Sequence, residues 1–160
     1  CKKFIETGTF KGDTVDACED FFGEITSIEL SHELFLESKA RFASILKIHI
    51  LEGNSGDLLP QVVIGSPVLF WLDAHYSGGY TAKGPEDSPV MKELNFILNH
   101  SLDHCILIDD ARCFTGKIET GYPTIPALKA ILKKDYGDAL HIEVKNDIIR
   151  ITKKNESSAA

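Results

Sequence analysis

Two stretches near the start of the chain carry residue types that can bind a nucleotide-like ligand. The first runs from Glu6 to Gly12 as Glu-Thr-Gly-Thr-Phe-Lys-Gly and begins inside a short apolar run, and a second apolar run reaches Glu29. Glycines between a strand and a helix let backbone N–H groups approach a ligand, and a carboxylate at the end of the next strand can bind ribose hydroxyls. The pattern predicts a cofactor site that includes Gly8, Gly12 and Glu29.

A second group of carboxylates follows two later apolar runs. Asp73 ends one of them and stands two residues before His75, and Asp109 and Asp110 end the other. Because neighbouring parallel strands end at the same edge of a sheet, we expect Asp73 and Asp109 to lie within reach of one metal ion, and oxygen-rich ligands suit Mg²⁺. His75 is the candidate general base because histidine has an ordinary pKa of about 6.5.

Hydrophobic periodicity and turn residues predict an alternation of strands and helices. The predicted strands cover residues 4–7, 25–30, 47–51, 68–72, 105–108, 140–144 and 148–152. The predicted helices cover residues 13–22, 32–43, 56–63, 89–99 and 124–134. The last two strands are too close for a helical crossover, so they should form an antiparallel hairpin. This order predicts an α/β fold with helices on both faces of the sheet.

Composition and charge limit the classes of protein. With 160 residues, 43% of them hydrophobic, the chain has apolar material for one core, so we predict a single domain over 1–152 and a polar tail over 153–160. The net charge of −7 disfavours a nucleic-acid partner and suits an acidic enzyme of small molecules. No apolar run approaches the roughly 20 residues of a membrane helix, so we expect a soluble, cytoplasmic protein without membrane contact.

The four cysteines show no zinc-ligand spacing and no CxxC pair. We expect free thiols in a reducing compartment, with Cys18 and Cys105 buried. A disulfide between Cys105 and Cys113 remains an alternative.

From residue 4 to residue 152 the chain resembles the class I S-adenosylmethionine-dependent methyltransferases. The segment from Glu6 to Gly12 looks like the first motif of that family, and Glu29 looks like its ribose-binding acid. The resemblance implies a Rossmann-like, doubly wound sheet of five parallel strands plus the C-terminal antiparallel hairpin. It also implies S-adenosylmethionine as cofactor, bound by Glu6, Gly8, Thr9, Gly12, Glu29, Asn54, Ser55 and Asp73. The family usually has Asp where this chain has Asn54.

Residues 72–76 and 107–112 resemble the divalent-metal site of small-molecule O-methyltransferases of the catechol and macrolide-sugar type. That resemblance implies that Asp73, Asp109 and Asp110 hold Mg²⁺, and that the acceptor is a hydroxyl of a small polar molecule such as a sugar or a vicinal diol. Asp73 and His75 would be catalytic. The catechol enzymes place a lysine in this loop, whereas Lys83 of this chain lies further along.

Several other interpretations remain open. The glycines could serve a tight turn and close helix packing, the strand-end carboxylates could cap helices or pair with Arg112, and His75 could be an ordinary loop residue. The loop over 76–84 is interpreted as a lid or acceptor loop. The alternative functions are a non-catalytic S-adenosylmethionine- or nucleotide-binding module, an NAD-dependent oxidoreductase and a metal-dependent hydrolase. An oligomer is compatible with all of them.

Overall fold

The computed structural model describes residues 1–62, 64–74, 89–100, 103–117 and 121–154. The strands are β1 (Lys3–Thr7), β2 (Glu24–Glu29), β3 (Ile48–Glu52), β4 (Val68–Leu72), β5 (Cys105–Ile108), β6 (Leu140–Lys145) and β7 (Ile148–Lys153). The α-helices are α1 (Asp13–Cys18), α2 (His32–Arg41), α3 (Ser55–Leu58), α4 (Val90–Leu98) and α5 (Ile125–Tyr136). Single turns of 3₁₀ helix cover Glu19–Phe21, Leu59–Gln61 and Ala111–Cys113.

All seven strands form one sheet in the spatial order β3-β2-β1-β4-β5-β7-β6. The pairs among β1 to β5 are parallel, and β7 is antiparallel to both β5 and β6. This arrangement confirms the predicted fold class, including the C-terminal hairpin. The direction of winding reverses at β1, which pairs with β2 on one side and with β4 on the other, and ligands of open α/β sheets bind at such a point.

Alternating side chains of the strands pack against helices on both faces of the sheet. On one face Phe4 and Ile25 pack with Val15 of α1 and with Phe42, which follows α2. On the other face lies a larger cluster that contains Ile5, Phe70 and Ile106 from the strands, Leu59 from the turn after α3, Leu94 from α4 and Leu128 from α5. The central strands are therefore covered on both sides, which explains their continuous apolar sequences.

Helices α1 and α3 are about half as long as predicted, and the structure gives a reason for each. Helix α1 ends at Cys18 and a 3₁₀ turn, because Phe22 is extended and packs its ring 5.2 Å from that of Phe4. Helix α3 ends at Leu58 and passes into a 3₁₀ turn that contains Pro60, which has no N–H with which to continue the α-helix. The 3₁₀ turn over Ala111–Cys113 was not predicted.

Helices α2 and α5 begin at side-chain caps. Ser31 Oγ accepts a hydrogen bond from Leu34 N at 3.5 Å at the start of α2, and Thr124 Oγ1 accepts one from Ala127 N at 3.2 Å at the start of α5. With 12 residues, α5 is the longest helix of the described segments. Within those segments no helix has the length and apolarity that crossing a membrane requires.

All four cysteines are free thiols, so the alternative disulfide between Cys105 and Cys113 is wrong. Cys18, Cys105 and Cys113 are only partly buried, contrary to the full burial expected for the first two. Burial nevertheless raises the pKa of each of these three thiols.

Replacing Leu128 by alanine should destabilise the fold by about 3 kcal/mol, because a fully buried side chain of α5 would leave a cavity against the sheet. The free energy of unfolding in urea measures this loss. Lys129→Ala is the matched control, since its side chain is exposed on the same helix. Equal stability of the two variants would show that α5 does not pack against the sheet in this way.

Candidate cofactor and acceptor site

The loop after β1 approaches the end of β4 so closely that only glycine fits at its first turn. Gly8 has a φ of 88°, and a Cβ there would lie 2.6 Å from the backbone oxygen of Asp73. Gly12 has a φ of 80°, and its Cβ would lie 2.6 Å from the ring of Phe42. Both glycines are thus required by the packing of the protein itself, and the resulting loop lies at the point where the sheet reverses its winding.

Glu29 holds this loop in place from the end of β2. The carboxylate is nearly buried, and its two oxygens accept hydrogen bonds from Phe10 N and from Ser31 N, both at 2.8 Å. Phe10 has a φ of 49°, and its carbonyl accepts a hydrogen bond of 3.1 Å from Ser38 of α2. Each carboxylate oxygen has a second acceptor position, so Glu29 can both hold the loop and bind ribose hydroxyls.

The side chains of Glu6 and Thr9 point into the protein beneath the loop. Ser27 Oγ donates a hydrogen bond of 2.5 Å to Glu6 Oε2 and lies 2.6 Å from Thr9 Oγ1. Burial raises the pKa of Glu6 to about 8, with smaller contributions from the charges of Asp73 and Glu29, and the bonds to Ser27 and Thr14 only partly oppose it. Glu6 is therefore a neutral acid at pH 7, and its side chain supports the loop from below.

The segment after β3 uses Asn54 as a helix cap. Asn54 Oδ1 accepts a hydrogen bond of 2.9 Å from Gly56 N at the start of α3. Ser55 is buried, and its hydroxyl interacts with Glu93 of α4. The amide oxygen of Asn54 is thus engaged with the protein, and the predicted adenine contacts of Asn54 and Ser55 stay predictions.

Asp73 and Asp109 follow neighbouring strands and come to the same edge of the sheet. Asp73 N donates to the carbonyl of Thr7 at 2.9 Å, and Asp109 N donates to the carbonyl of Leu72 at 3.1 Å, so both residues continue the ladders of their strands. Burial raises the pKa of Asp109, the backbone N–H of Asp110 partly opposes this effect, and the charge of Asp73 adds to it. The carboxyl groups of Asp73 and Asp109 are therefore close enough for their charges to interact.

Asp110 is turned towards a cation of the protein. It has a φ of 55°, its N–H donates to Asp109 Oδ1 at 2.8 Å, and its Oδ1 lies 2.6 Å from Arg112 Nη1. Arg112 also pairs with Asp147 in the turn between β6 and β7, and its backbone N–H donates to Asp147 Oδ1 at 2.8 Å. This is the pairing with Arg112 that the sequence left open as an alternative.

The metal site predicted for this edge of the sheet consists of Asp73, Asp109 and Asp110. Within the segments that the structure describes, no group of three or more His, Cys, Asp or Glu side chains is arranged to hold a metal ion. Asp110, one of the three carboxylates predicted for Mg²⁺, is paired with Arg112, and the predicted metal site stays a prediction. His75 and the loop over 76–84 lie outside the described residues.

The structure adds three polar groups to those chosen from the sequence. They are Ser27 beneath the loop, the Arg112–Asp147 pair, and Glu93 on α4. Only Glu93 has a clear sequence signal, because it falls in the apolar stripe that Val90, Leu94 and Ile97 form on α4.

Comparison with known proteins identifies the fold. No protein-family model matches the chain, and no curated protein matches it. The SAH-bound methyltransferase PaMTH1 of Podospora anserina is similar in structure, with a TM-score of 0.65 and 17% identity over 96% of this chain and 72% of that one. The O-methyltransferase of Bacillus cereus in complex with SAH has a TM-score of 0.65 and 14% identity over 96% of this chain and 74% of that one.

The 23S rRNA methyltransferase ErmE is also similar, with a TM-score of 0.60 and 14% identity over 96% of this chain and 62% of that one. At such identities the likeness establishes the fold alone. The chain has the Rossmann-like fold of these methyltransferases, and its C-terminal antiparallel hairpin belongs to that fold.

Replacing Gly8 by alanine should displace the loop, because the new Cβ would collide with the backbone of Asp73 in a conformation that alanine rarely adopts. We expect a loss of about 2 kcal/mol in the free energy of unfolding. Gly65→Ala is the control, since a Cβ there meets nothing within 4 Å. Equal melting temperatures for the two variants would contradict the close approach of loop and strand.

Glu6 should make stability depend on pH. Its pKa is raised from 4.5 to about 8, so the stability contributed by its protonated form is complete below pH 4.5 and is lost as pH rises through 8. Glu6→Gln should remove up to about 1.4 kcal/mol per pH unit from the slope of unfolding free energy against pH in that window. Urea unfolding between pH 5 and pH 8 measures the difference from the wild type, with the exposed Glu33→Gln as control. Parallel curves for the wild type and Glu6→Gln would contradict the neutral state of Glu6.

Proposed function

We propose that this chain is an S-adenosylmethionine-dependent methyltransferase that acts on a hydroxyl of a small polar molecule. The observation that carries the proposal is the position of Glu29. Its carboxylate ends β2, is oriented by two backbone N–H groups and lies against the glycine loop where the sheet reverses its winding. A carboxylate so oriented suits the two hydroxyls of a ribose. The fold shared with SAH-bound methyltransferases supports the same cofactor.

The described residues fit this cofactor. Glu29 would bind the ribose, the backbone from Gly8 to Gly12 would lie along the methionine part, and the segment of Asn54 and Ser55 would lie on the adenine side. When bound, S-adenosylmethionine supplies a methyl group already activated by its sulfonium. The chain then has to orient the acceptor oxygen and remove its proton.

The acceptor would lie at the edge formed by Asp73 and Asp109. His75 remains the proposed base for the acceptor hydroxyl, and Asp73 remains the second residue proposed for catalysis. Binding of Mg²⁺ also stays a prediction, because the ion would have to displace Arg112 from Asp110 or use Asp73 and Asp109 with water as further ligands. The steps proposed here for the chain itself need no metal.

The charge of the chain favours a small-molecule acceptor. A net charge of −7 would repel a nucleic-acid backbone, although ErmE shows that the same fold occurs in an rRNA methyltransferase. Sugars and vicinal diols are the acceptors to screen first. The free thiols are compatible with a reducing compartment such as the cytoplasm.

Titration calorimetry with SAH should detect binding in the micromolar range, and Glu29→Gln should weaken it at least tenfold, because an amide cannot accept both backbone N–H bonds and both ribose hydroxyls. Glu52→Gln is the matched control, since Glu52 ends β3 in register with Glu29. The same titrations with Mg²⁺ and with EDTA test whether the binding of SAH depends on the metal.

Three outcomes would support other functions. Binding of SAH without turnover of any diol or sugar would favour a binding module. Absence of SAH binding together with binding of NADH would favour an oxidoreductase. Release of phosphate without S-adenosylmethionine would favour a metal-dependent hydrolase.

A further inference from the structure

A carboxyl group is buried between three segments that meet beside the candidate cofactor site. Glu93 of α4 is 1% exposed. It adjoins Thr7, the last residue of β1, and Ser55, the first residue of α3. Thr7 immediately precedes the glycine loop, and Ser55 follows the residue that caps α3. Glu93 therefore lies behind both backbone segments that the proposed nucleotide would contact.

The cluster is polar and incompletely satisfied. Glu93 Oε1 and Thr7 Oγ1 are fully buried, and neither has a partner in good hydrogen-bond geometry within the part of the chain that the structure describes. Burial raises the pKa of Glu93 to about 7, and the neighbouring hydroxyls of Ser55 and Thr7 oppose this rise. A buried acid with one unmatched oxygen is costly in a core that leucine could fill, so its presence calls for a function.

The helices around the cluster are in direct contact. A Cβ on Gly56 of α3 would lie 3.4 Å from Cβ of Lys92 in α4, which shows how closely the start of α3 packs on α4. The charged groups on these elements face elsewhere: Lys92 and Asp57 are exposed, and Glu6 binds Ser27 in the neighbouring strand β2. Among the residues that the structure describes, the side chains that affect the pKa of Glu93 are those of Ser55 and Thr7.

We propose that Glu93 is a positioning residue for the cofactor site, whose carboxyl group lies between Thr7 at the end of β1 and Ser55 at the start of α3. When protonated, the carboxyl group can donate its proton to one hydroxyl and accept from the other, and this pair of bonds would fix the distance between the two segments that flank the nucleoside. The identity of that ligand rests on the proposed function. The position of Glu93 between Thr7 and Ser55 does not depend on which ligand binds.

Two substitutions separate the hydrogen bonds from the packing. Glu93→Gln keeps a donor and an acceptor at every pH, whereas Glu93→Leu keeps similar volume and has neither. At pH 6 we expect Glu93→Gln to bind SAH as the wild type does and Glu93→Leu to bind about tenfold more weakly. At pH 8 the wild-type acid has lost its proton, so Glu93→Gln should bind several-fold more tightly than the wild type. Ile97→Val is the control, because it removes a buried methyl group from the same helix.

Amide hydrogen exchange tests the link without a ligand. Gly8 N donates to the carbonyl of Ile28, and Gly56 N donates to Asn54 Oδ1. Exchange at Gly8 and Gly56 should be about tenfold faster in Glu93→Leu than in Glu93→Gln and unchanged in Ile97→Val.

The inference is overturned if exchange at both glycines is the same in Glu93→Leu and in the wild type, or if Glu93→Leu binds SAH with undiminished affinity. If Glu93→Leu does not fold, an affinity of Glu93→Gln equal to that of the wild type at both pH values overturns it. If the wild type does not bind SAH, the proposed function fails, and the exchange rates still decide the role of Glu93.

Discussion

The close approach between the ends of β1 and β4 is the constraint on which the candidate site depends. Because Gly8 lies against the backbone oxygen of Asp73, the loop must turn where the sheet reverses its winding, and it brings Glu6, Glu29 and Asp73 into one region. Several carboxyl groups in such a small space would repel one another if all were ionised and unpaired. The structure accommodates three carboxyl groups of this region in different ways: burial keeps Glu6 protonated, Glu29 accepts hydrogen bonds from two backbone N–H groups, and Asp110 forms an ion pair with Arg112.

Most of the architecture could be predicted from the sequence because the strands are covered on both faces. Continuous apolar runs such as Val68–Leu72 and Cys105–Ile108 have the same bounds in the structure as in the prediction. Helix starts were also predictable where a local cap exists, as at Ser31. The ends of helices were harder to predict. Phe22, for example, is not helical because its ring packs on Phe4 of β1, and hydrophobic periodicity does not reveal that contact.

The residue types of the candidate site could be predicted from the sequence, whereas the hydrogen bonds and ion pairs between them were harder to predict. Parallel strands end at one edge, so the meeting of Asp73 and Asp109 follows from topology. The pairing of Arg112 with Asp147 joins residues 35 apart and exists only once the hairpin folds back beside β5. Ser27 likewise reaches Glu6 only through the pairing of β1 with β2. The burial of Glu93 could have been predicted, because this acid falls within the apolar stripe of α4.

The charge around the glycine loop also bears on which ligand it would hold. In dinucleotide-binding folds this loop faces a pyrophosphate, which is bound by backbone N–H groups at the start of the helix, while an acid on the next strand binds the ribose. Here Asp73 and Glu29 are close enough to Glu6 for their charges to raise its pKa, and Asp109 lies at the next strand end. An anionic pyrophosphate would be repelled by Asp73 and Asp109, whereas the sulfonium of S-adenosylmethionine is positively charged and would be attracted to them. The carboxylates around the loop therefore favour a cationic cofactor over an anionic one.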